Sequence, residues 1–408
     1  MAYGYYSSKL GLKGQSGKVL EISELLKKTG GSPVYIYDID DVLMRVSVLR
    51  EAFNRPIEIH YAMKANFHPY LLKTLAKAGV GADVVSAGEM KWAMDNGHKA
   101  DHIVFSGVGK TVAEITQALK ADIRQLNVES PAELRRIGEI AKSLKVKARV
   151  AFRMNPDVNA STHPYIQTGF RENKFGMDVS FFSELKEILK EFKEDLDFQG
   201  LTLHIGSQIR DISALGEAVL KTKTVWKMLE SEGYNLKTFD IGGGLGIDYN
   251  NFAGEDEMNL IRQYGKMMSD ALADIPKAII QLEPGRILVG RMGLLVSEIQ
   301  YIKTTPYKNF AIINTGMHHL MRPALYQAHH RILPLFEAKE EHQEVYDIVG
   351  PICESSDVIG YDRRLPKLKS GDYLAIADAG AYGYSMASNY NLHALPKELC
   401  VHEDKIQE

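Results

Sequence analysis

Ile57-Glu58-Ile59-His60-Tyr61-Ala62-Met63-Lys64-Ala65-Asn66 reads as a short strand running out into a turn of small residues, and Pro69 opens a helical pattern just beyond it. Strand, turn and helix make one βα unit, with Lys64 on its turn. A lysine in that place is either a solvated surface charge, the ordinary fate of lysine, or an amine tuned by its surroundings to form a Schiff base with a carbonyl compound. The stretch alone favours the solvated charge; the rest of the chain decides.

The same unit recurs. Apolar strand cores fall at Ile57–Tyr61, Ala82–Val85, Ile103–Phe105, Gln125–Val128, Ala148–Phe152, Leu201–Ile205, Thr238–Ile241 and Ala278–Leu282, with helical patterns between them. The helices carry their own punctuation. Asp38 suits an N-cap before Ile39, Val42, Leu43 and Val46. Pro69 suits a first helical position and Gly79 a stop. Thr111 with Glu114, and Ser130 with Glu133, have the spacing of capping boxes. Eight strands alternating with helices over this length predict a (β/α)8 barrel, an α/β fold, rather than an open doubly wound sheet.

Beyond about residue 290 the texture changes. Val296–Tyr301, Phe310–Ile313, Val345–Val349 and Tyr373–Ala377 are short strand-like runs broken by Gly, Pro and Asp. They predict a mainly β domain, which the early strand at Val34–Tyr37 is expected to join. The expected division is therefore a barrel at 38–290 and a β domain made of 1–37 and 291–408.

Composition narrows the class. A net charge of −3 over 408 residues gives neither the basic footprint of a nucleic-acid binder nor a polybasic membrane signal. No apolar run reaches membrane-spanning length, and the first residues lack the layout of a secretory signal. The two cysteines, Cys353 and Cys400, make neither a disulfide framework nor a metal set. A cytoplasmic enzyme is the expectation. His318 and His319 are adjacent on an expected strand, where alternation points them apart, so no metal site is assigned.

Active sites of such barrels lie at the C-terminal ends of the strands. Here those ends carry Lys64, then Asp83, Ser106-Gly107, Asn127-Val128-Glu129, Arg153, His204-Ile205-Gly206-Ser207, Gly242-Gly243-Gly244 and Glu283-Pro284-Gly285-Arg286. Three successive glycines after the seventh strand let backbone N–H groups approach a phosphate. His204 offers a flat ring for stacking, and Ser207 a hydroxyl. Glu283 offers a carboxylate that can hold a proton on a heteroaromatic nitrogen and so make the ring an electron sink. An amine for an aldehyde, a glycine loop for a phosphate and a carboxylate for a ring nitrogen together describe pyridoxal 5'-phosphate.

Tyr61–Asn66, Thr162-His163-Pro164-Tyr165, Glu172-Asn173-Lys174-Phe175-Gly176, His204–Gln208, Gly242–Ile247, Glu283–Arg286, Met321-Arg322-Pro323-Ala324-Leu325-Tyr326, Cys353-Glu354-Ser355 and Asp378-Ala379-Gly380-Ala381-Tyr382-Gly383 occur in this order. In this the chain resembles the barrel-type pyridoxal phosphate-dependent decarboxylases, and within them the diaminopimelate decarboxylases, over nearly its whole length. The resemblance implies that Lys64 is the Schiff-base lysine, that His204 stacks on the cofactor ring and that Glu283 pairs with the ring nitrogen. It implies that Ser207, Gly243, Gly244, Gly285, Arg286 and Tyr382 surround the phosphate, with Asp83 and Arg153 as supporting groups. It also implies that Cys353 reaches the site of a partner subunit as proton donor, hence a homodimer with shared sites.

The substrate end follows from charge. meso-Diaminopimelate keeps a far carboxylate and a far ammonium once one end is bound. Arg286 and Arg322 offer planar forks for the carboxylate. Tyr326 and Tyr382 offer hydroxyls, and Glu354 suits the ammonium. Ornithine, arginine or a carrier-bound amino acid are the alternative substrates; a pyridoxal phosphate carrier without turnover and a racemase are the alternative classes. Without the resemblance, Arg322 reads as a surface cation before a proline turn and Cys353 as a buried filler. Two places depart from the family's common pattern: Asn314-Thr315-Gly316-Met317-His318-His319 and Ser355-Ser356.

Overall fold

The structure is a computed structural model that describes residues 3–14, 16–158, 174–251, 254–337 and 343–407. The chain divides into two compact units. One comprises Ser47–Gly246 and Met258–Gly285, the other Met1–Val46, Ile247–Glu257 and Arg286–Glu408.

The first unit is built on a closed barrel of eight parallel strands: Ile57–Ala62, Gly81–Val84, Ile103–Phe105, Gln125–Val128, Ala148–Met154, Leu196–Leu203, Thr238–Asp240 and Ile279–Leu282. The eighth strand pairs back onto the first. Each strand expected from the sequence is present. The sixth begins earlier than its apolar run because Asp197, Gln199 and Gly200 interrupt the pattern, and its register shifts between Phe198 and Gly200. A Cβ on Gly200 would meet the Thr238 carbonyl at 1.9 Å, so only glycine lets the sixth and seventh strands close at this point.

Helix punctuation follows local chemistry. The Thr111 hydroxyl accepts from the Glu114 N–H at 3.2 Å and the Glu114 carboxylate accepts from the Thr111 N–H at 3.0 Å, a complete capping box. The second expected box is only half made. Ser130 accepts from the Glu133 N–H at 3.2 Å, but the Glu133 carboxylate turns to the Glu129 N–H and to the Lys110 ammonium, each at 2.8 Å. Lys110 is buried, and a buried ammonium has the stronger claim on a carboxylate.

The barrel lumen is polar. Thr238 Oγ1 donates to Gln125 Oε1 at 2.9 Å, and Gln125 Nε2 donates to Asn127 Oδ1 at 2.8 Å. Asn127 Nδ2 donates to Glu283 Oε1 at 2.9 Å. The first bond joins the seventh strand to the fourth, and the last joins the fourth to the loop after the eighth. Neither strand pair is adjacent in the barrel, so both bonds cross the lumen. Gln125 and Asn127, like Thr238 and Asp240, are two residues apart and share the inward face.

The second unit is β-rich. Its main sheet runs from Val358–Pro366 through Gln343–Val349, Asn309–Ile313, Gly293–Thr304, Val34–Asp38 and Lys397–His402 to Lys405–Gln407. The long strand Gly293–Thr304 also pairs with Tyr373–Ile376, which in turn pairs with Ile332–Pro334. The early strand at Val34 does join this sheet, between Gly293–Thr304 and Lys397–His402. A small sheet of Gly4–Tyr6, Lys9–Lys13 and Val19–Glu21 and the helix Ile22–Thr29 supply part of the core, where Leu10, Leu12, Ile22 and Leu25 pack with Val34, Ile36, Leu294 and Val296.

One expectation fails here. His318 and His319 are not on a strand: the strand ends at Ile313, where Asn314 Oδ1 accepts from Ser297 Oγ at 2.8 Å and from the Glu298 N–H at 3.0 Å. The two histidines lie in the following turn with ring centroids 3.6 Å apart, and the His393 ring lies 4.7 Å from that of His318. Burial, then the neighbouring imidazoles, lowers the pKa of His318 to about 3.

The lumen chain makes a testable demand. Thr238→Val keeps the side chain's shape but removes the donor to Gln125. It is expected to cost about 1–3 kcal/mol in denaturant unfolding, the price of a buried acceptor left bare; wild-type stability would contradict the role given to this bond.

Candidate active site

In the barrel unit, Lys64 sits on the single 3-10 turn Met63–Ala65 that follows the first strand. Its side chain is 43% exposed, while Asp83 beside it is 1% exposed, with Lys64 Nζ 3.7 Å from Asp83 Oδ2. An accessible amine is thus backed by a buried carboxyl. The Ala62 N–H donates to the Pro284 carbonyl at 3.0 Å, which ties the lysine turn to the loop after the eighth strand. A Cβ on Gly285 would stand 3.2 Å from Ala62 Cβ and 3.3 Å from Ala65 Cβ, so glycine and alanine let these turns nest.

Glu283 closes that loop. Its Oε1 accepts from Asn127 Nδ2 and, at 3.3 Å, from Ser106 Oγ. Asp240, at the end of the seventh strand, accepts the Gly242 N–H on Oδ1 at 2.8 Å, while its Oδ2 finds no donor among the described residues. Burial, then the Asp240 and Asp83 charges, holds the Glu283 carboxyl well above the usual carboxylate range. Burial raises Asp240 to about 7. Burial also raises Asp83, with the Lys64 ammonium opposing. Three buried carboxyls at one rim share too few cations, so a protonated ring nitrogen suits Glu283.

The glycine loop allocates its N–H groups unequally. That of Gly242 goes to Asp240, and that of Gly243 to His204 Nδ1 at 3.3 Å. That of Gly244 makes no hydrogen bond among the described residues and remains for an anion. The loop needs glycine: a Cβ on Gly243 would meet the Glu283 carbonyl at 2.2 Å, and one on Gly244 the Gly206 carbonyl at 2.5 Å. The Ile209 N–H donates to the Gly244 carbonyl at 2.9 Å, which joins the Ser207 loop to the glycine loop.

His204 accepts on Nδ1, so its proton is on Nε2. Burial, then the Arg153 and Lys64 charges, lowers its pKa well below the ordinary imidazole value, leaving a neutral flat ring. Arg153 Nη1 donates to Glu129 Oε1 at 2.6 Å, and its guanidinium lies 4.9 Å from the Phe175 ring centre. Glu129 Oε2 accepts the Gly176 N–H at 2.7 Å. The Lys174-Phe175-Gly176 part of that motif is thereby fixed to the rim; Thr162–Tyr165, Glu172 and Asn173 lie outside the described residues.

The β unit gathers a second cluster. Arg286 Nη1 donates to Tyr249 Oη at 2.8 Å, and its guanidinium lies 4.8 Å from the Tyr382 ring centre. Tyr382 holds φ at 55°, a left-handed conformation costly for a tyrosine and typical of functional sites. Arg322 is buried, not a surface cation. Its guanidinium lies 4.3 Å from the Tyr249 ring centre, and Nη1 meets His330 Nε2 at 2.7 Å. Tyr326, half-buried, lies within electrostatic reach of both arginines. Cys353 is exposed rather than a buried filler, and Glu354 beside it bonds the Tyr390 hydroxyl. Asp357 orders this turn by accepting the Ile352 N–H at 2.7 Å and the Met317 N–H at 2.6 Å.

The sequence places Asn127 at a strand end without a role, and does not single out Asp240, Tyr249 or His330. Period-two polarity in the fourth and seventh strands could have flagged the first two; nothing local flags the others.

The set fits pyridoxal phosphate: an accessible amine, a spare N–H at Gly244, a neutral stacking ring and a proton-holding carboxyl. The carboxyls also set a pH dependence. Asp240 has a folded pKa near 7, above the roughly 3.9 of an unfolded aspartate. The folded chain therefore binds the extra proton, and its contribution to stability is complete below about pH 4 and lost as pH rises through about 7. In cofactor-free protein, the Tm of wild type minus that of Asp240→Asn is expected to fall between pH 4 and pH 8. A constant or rising difference would contradict a raised Asp240.

Residues 39–290 match the family model for the pyridoxal binding domain of pyridoxal-dependent decarboxylases. The chain is 42% identical to a diaminopimelate decarboxylase of Aquifex aeolicus over 387 residues, which cover 94% of this chain and 89% of that protein. It is 42% identical to one from Helicobacter pylori strain J99, covering 94% of each. Among solved structures it is similar to the diaminopimelate decarboxylase of Helicobacter pylori complexed with L-lysine, with a TM-score of 0.87, 41% identity and coverage of 94% of this chain and 95% of that one. It is also similar to that of M. jannaschi, with a TM-score of 0.88, 36% identity and coverage of 99% and 94%. The chain belongs to the diaminopimelate decarboxylase family of pyridoxal-dependent decarboxylases.

Proposed function

We propose that this chain decarboxylates meso-2,6-diaminopimelate to L-lysine and carbon dioxide, the last step of lysine biosynthesis. The observation that carries the substrate reading is the buried guanidinium of Arg322, which is set against the Tyr249 ring with no acidic side chain within ion-pair distance among the described residues. A buried charge is costly unless an anion joins it. A substrate with a second carboxylate brings that anion; ornithine does not.

Pyridoxal phosphate, when bound, supplies an aldehyde for amines and a ring that accepts an electron pair. Lys64 offers its accessible amine to that aldehyde, with Asp83 beneath it. The Gly244 N–H and Ser207 hold the phosphate, with Gly243, Gly285, Arg286 and Tyr382 around it. His204 presents its neutral face to the ring, steadied by the Gly243 N–H and by Arg153 behind it. Glu283, held by Asn127 and Ser106, keeps a proton on the ring nitrogen. When the carbon–carboxylate bond breaks, its electron pair stays with carbon, and a proton must then arrive there. We assign that proton to the Cys353 thiol of a partner subunit in a homodimer with shared sites. Arg322, with Arg286, Tyr326 and Tyr382, takes the far carboxylate, and Glu354 the far ammonium.

Among the described residues no helix is long and apolar enough to cross a membrane. We assign the enzyme to the cytoplasm.

One preparation tests substrate and assembly together. Purified protein with pyridoxal phosphate is expected to release carbon dioxide from meso-diaminopimelate and not from ornithine; the opposite preference contradicts the substrate assignment. Lys64→Ala and Cys353→Ala should each be inactive. Mixing them with subunit exchange should restore about a quarter of wild-type activity, because half of the dimers then hold one intact site. No recovery despite exchange would contradict shared sites.

A further inference from the structure

Arg322 occupies a costly place. It is 5% exposed, it opens a helix of only five residues, Arg322–Tyr326, and no acidic side chain lies within ion-pair distance among the described residues. Burial, then the Arg286 charge, works against its proton. A long, flexible side chain there needs something to fix its direction.

His330 meets that need. It is fully buried, and its two ring nitrogens have different partners. Nδ1 lies 2.8 Å from the Ala377 carbonyl, which can only accept, so Nδ1 carries the proton. Nε2 then presents a lone pair, 2.7 Å from Arg322 Nη1, which can only donate. The tautomer is thus fixed by the two partners, and a carbonyl on the strand end at Ile376-Ala377 is connected through one imidazole to the guanidinium. Tyr249 completes the mount. Its ring packs edge-on to His330 at 5.3 Å and under Arg322 at 4.3 Å, while its hydroxyl holds Arg286. One acceptor and one aromatic face leave Arg322 with a single orientation and its other N–H groups unspent.

We propose that His330 is a positioning residue: with Tyr249 as platform, its Nε2 lone pair aims the Arg322 fork and thereby sets selection for a substrate bearing a second carboxylate. This rests on the assignment of Arg322 to that carboxylate. His330 itself does not touch substrate. Phenylalanine at 330 would fill the same space but remove both bonds. Glutamine could restore them, since its amide nitrogen can donate to Ala377 and its oxygen can accept from Arg322. Asparagine is too short to span both partners.

The test is steady-state kinetics on holoenzyme. His330→Phe is expected to raise KM for meso-diaminopimelate about tenfold to a hundredfold, with kcat changed by less than about threefold. The visible absorbance of bound cofactor should stay unchanged. Inhibition by L-lysine, which keeps the far carboxylate, should weaken in parallel. His330→Gln should recover most of the loss. If His330→Phe fails to fold, His330→Asn is expected to raise KM likewise. Arg322→Met separates the two layers. If it leaves KM unaltered, the carboxylate assignment to Arg322 fails. If it raises KM while a folded His330→Phe or His330→Asn does not, the positioning role is overturned.

Discussion

The hydrogen bond from Asn127 to Glu283 spans the barrel from its fourth strand to the loop after its eighth. Much of the site depends on it. Asn127 can direct its amide at Glu283 because Gln125 holds its oxygen, and Gln125 is held in turn by Thr238. Asn127 Nδ2 also donates to Ser106 Oγ at 3.0 Å, and Ser106 Oγ donates on to Glu283 Oε1, so both branches of the chain end on the same carboxyl. A buried polar network is an asset only when each member is satisfied. Among the described residues, buried barrel acceptors without a hydrogen-bond donor include Asp240 Oδ2, both Asp83 carboxylate oxygens and Gln281 Oε1, so the shortfall falls mainly on the carboxyls. The structure therefore stores excess carboxyl at the rim where a cationic ring is to be received.

A similar economy governs the β unit. Asp378 accepts from Arg291 at 2.8 Å, from Arg331 at 3.0 Å and from the Tyr3 hydroxyl at 2.5 Å. This fully satisfied carboxylate fixes the start of the Asp378–Gly383 segment that carries Tyr382. Arg322, by contrast, rests on a tyrosine face and a neutral imidazole. Aromatic faces attract guanidinium without neutralising it. The contrast separates arginines that hold the fold from the arginine proposed to take the substrate.

Much of this was legible in the sequence. Eight βα repeats gave the barrel, because hydrophobic periodicity and caps are local properties. The strand ends gave Lys64, Asp83, His204 and Glu283, because in this fold function collects at one rim. The lumen chain was harder to see. Gln125, Thr238 and Gln281 lie inside short runs that read as apolar strands, and nothing local says that their polar faces meet across a barrel. His330 and Tyr249 were invisible for a similar reason: they are 81 residues apart, and a histidine's partners are decided by tertiary contacts. His318-His319 misled because strand alternation was assumed past the point where Asn314 ends the strand. The strands Val358–Pro366 and Lys397–His402 are hard to read from sequence because Asp, Arg and Glu interrupt their apolar pattern.

The central claim is that the first strand delivers Lys64 as the amine that binds the cofactor's aldehyde. The most direct measurement is the visible absorption spectrum of Lys64→Ala after loading with pyridoxal phosphate, recorded beside its carbon dioxide release. The protein-bound visible band and the decarboxylation are expected to disappear together. Persistence of both in a folded Lys64→Ala protein would contradict it.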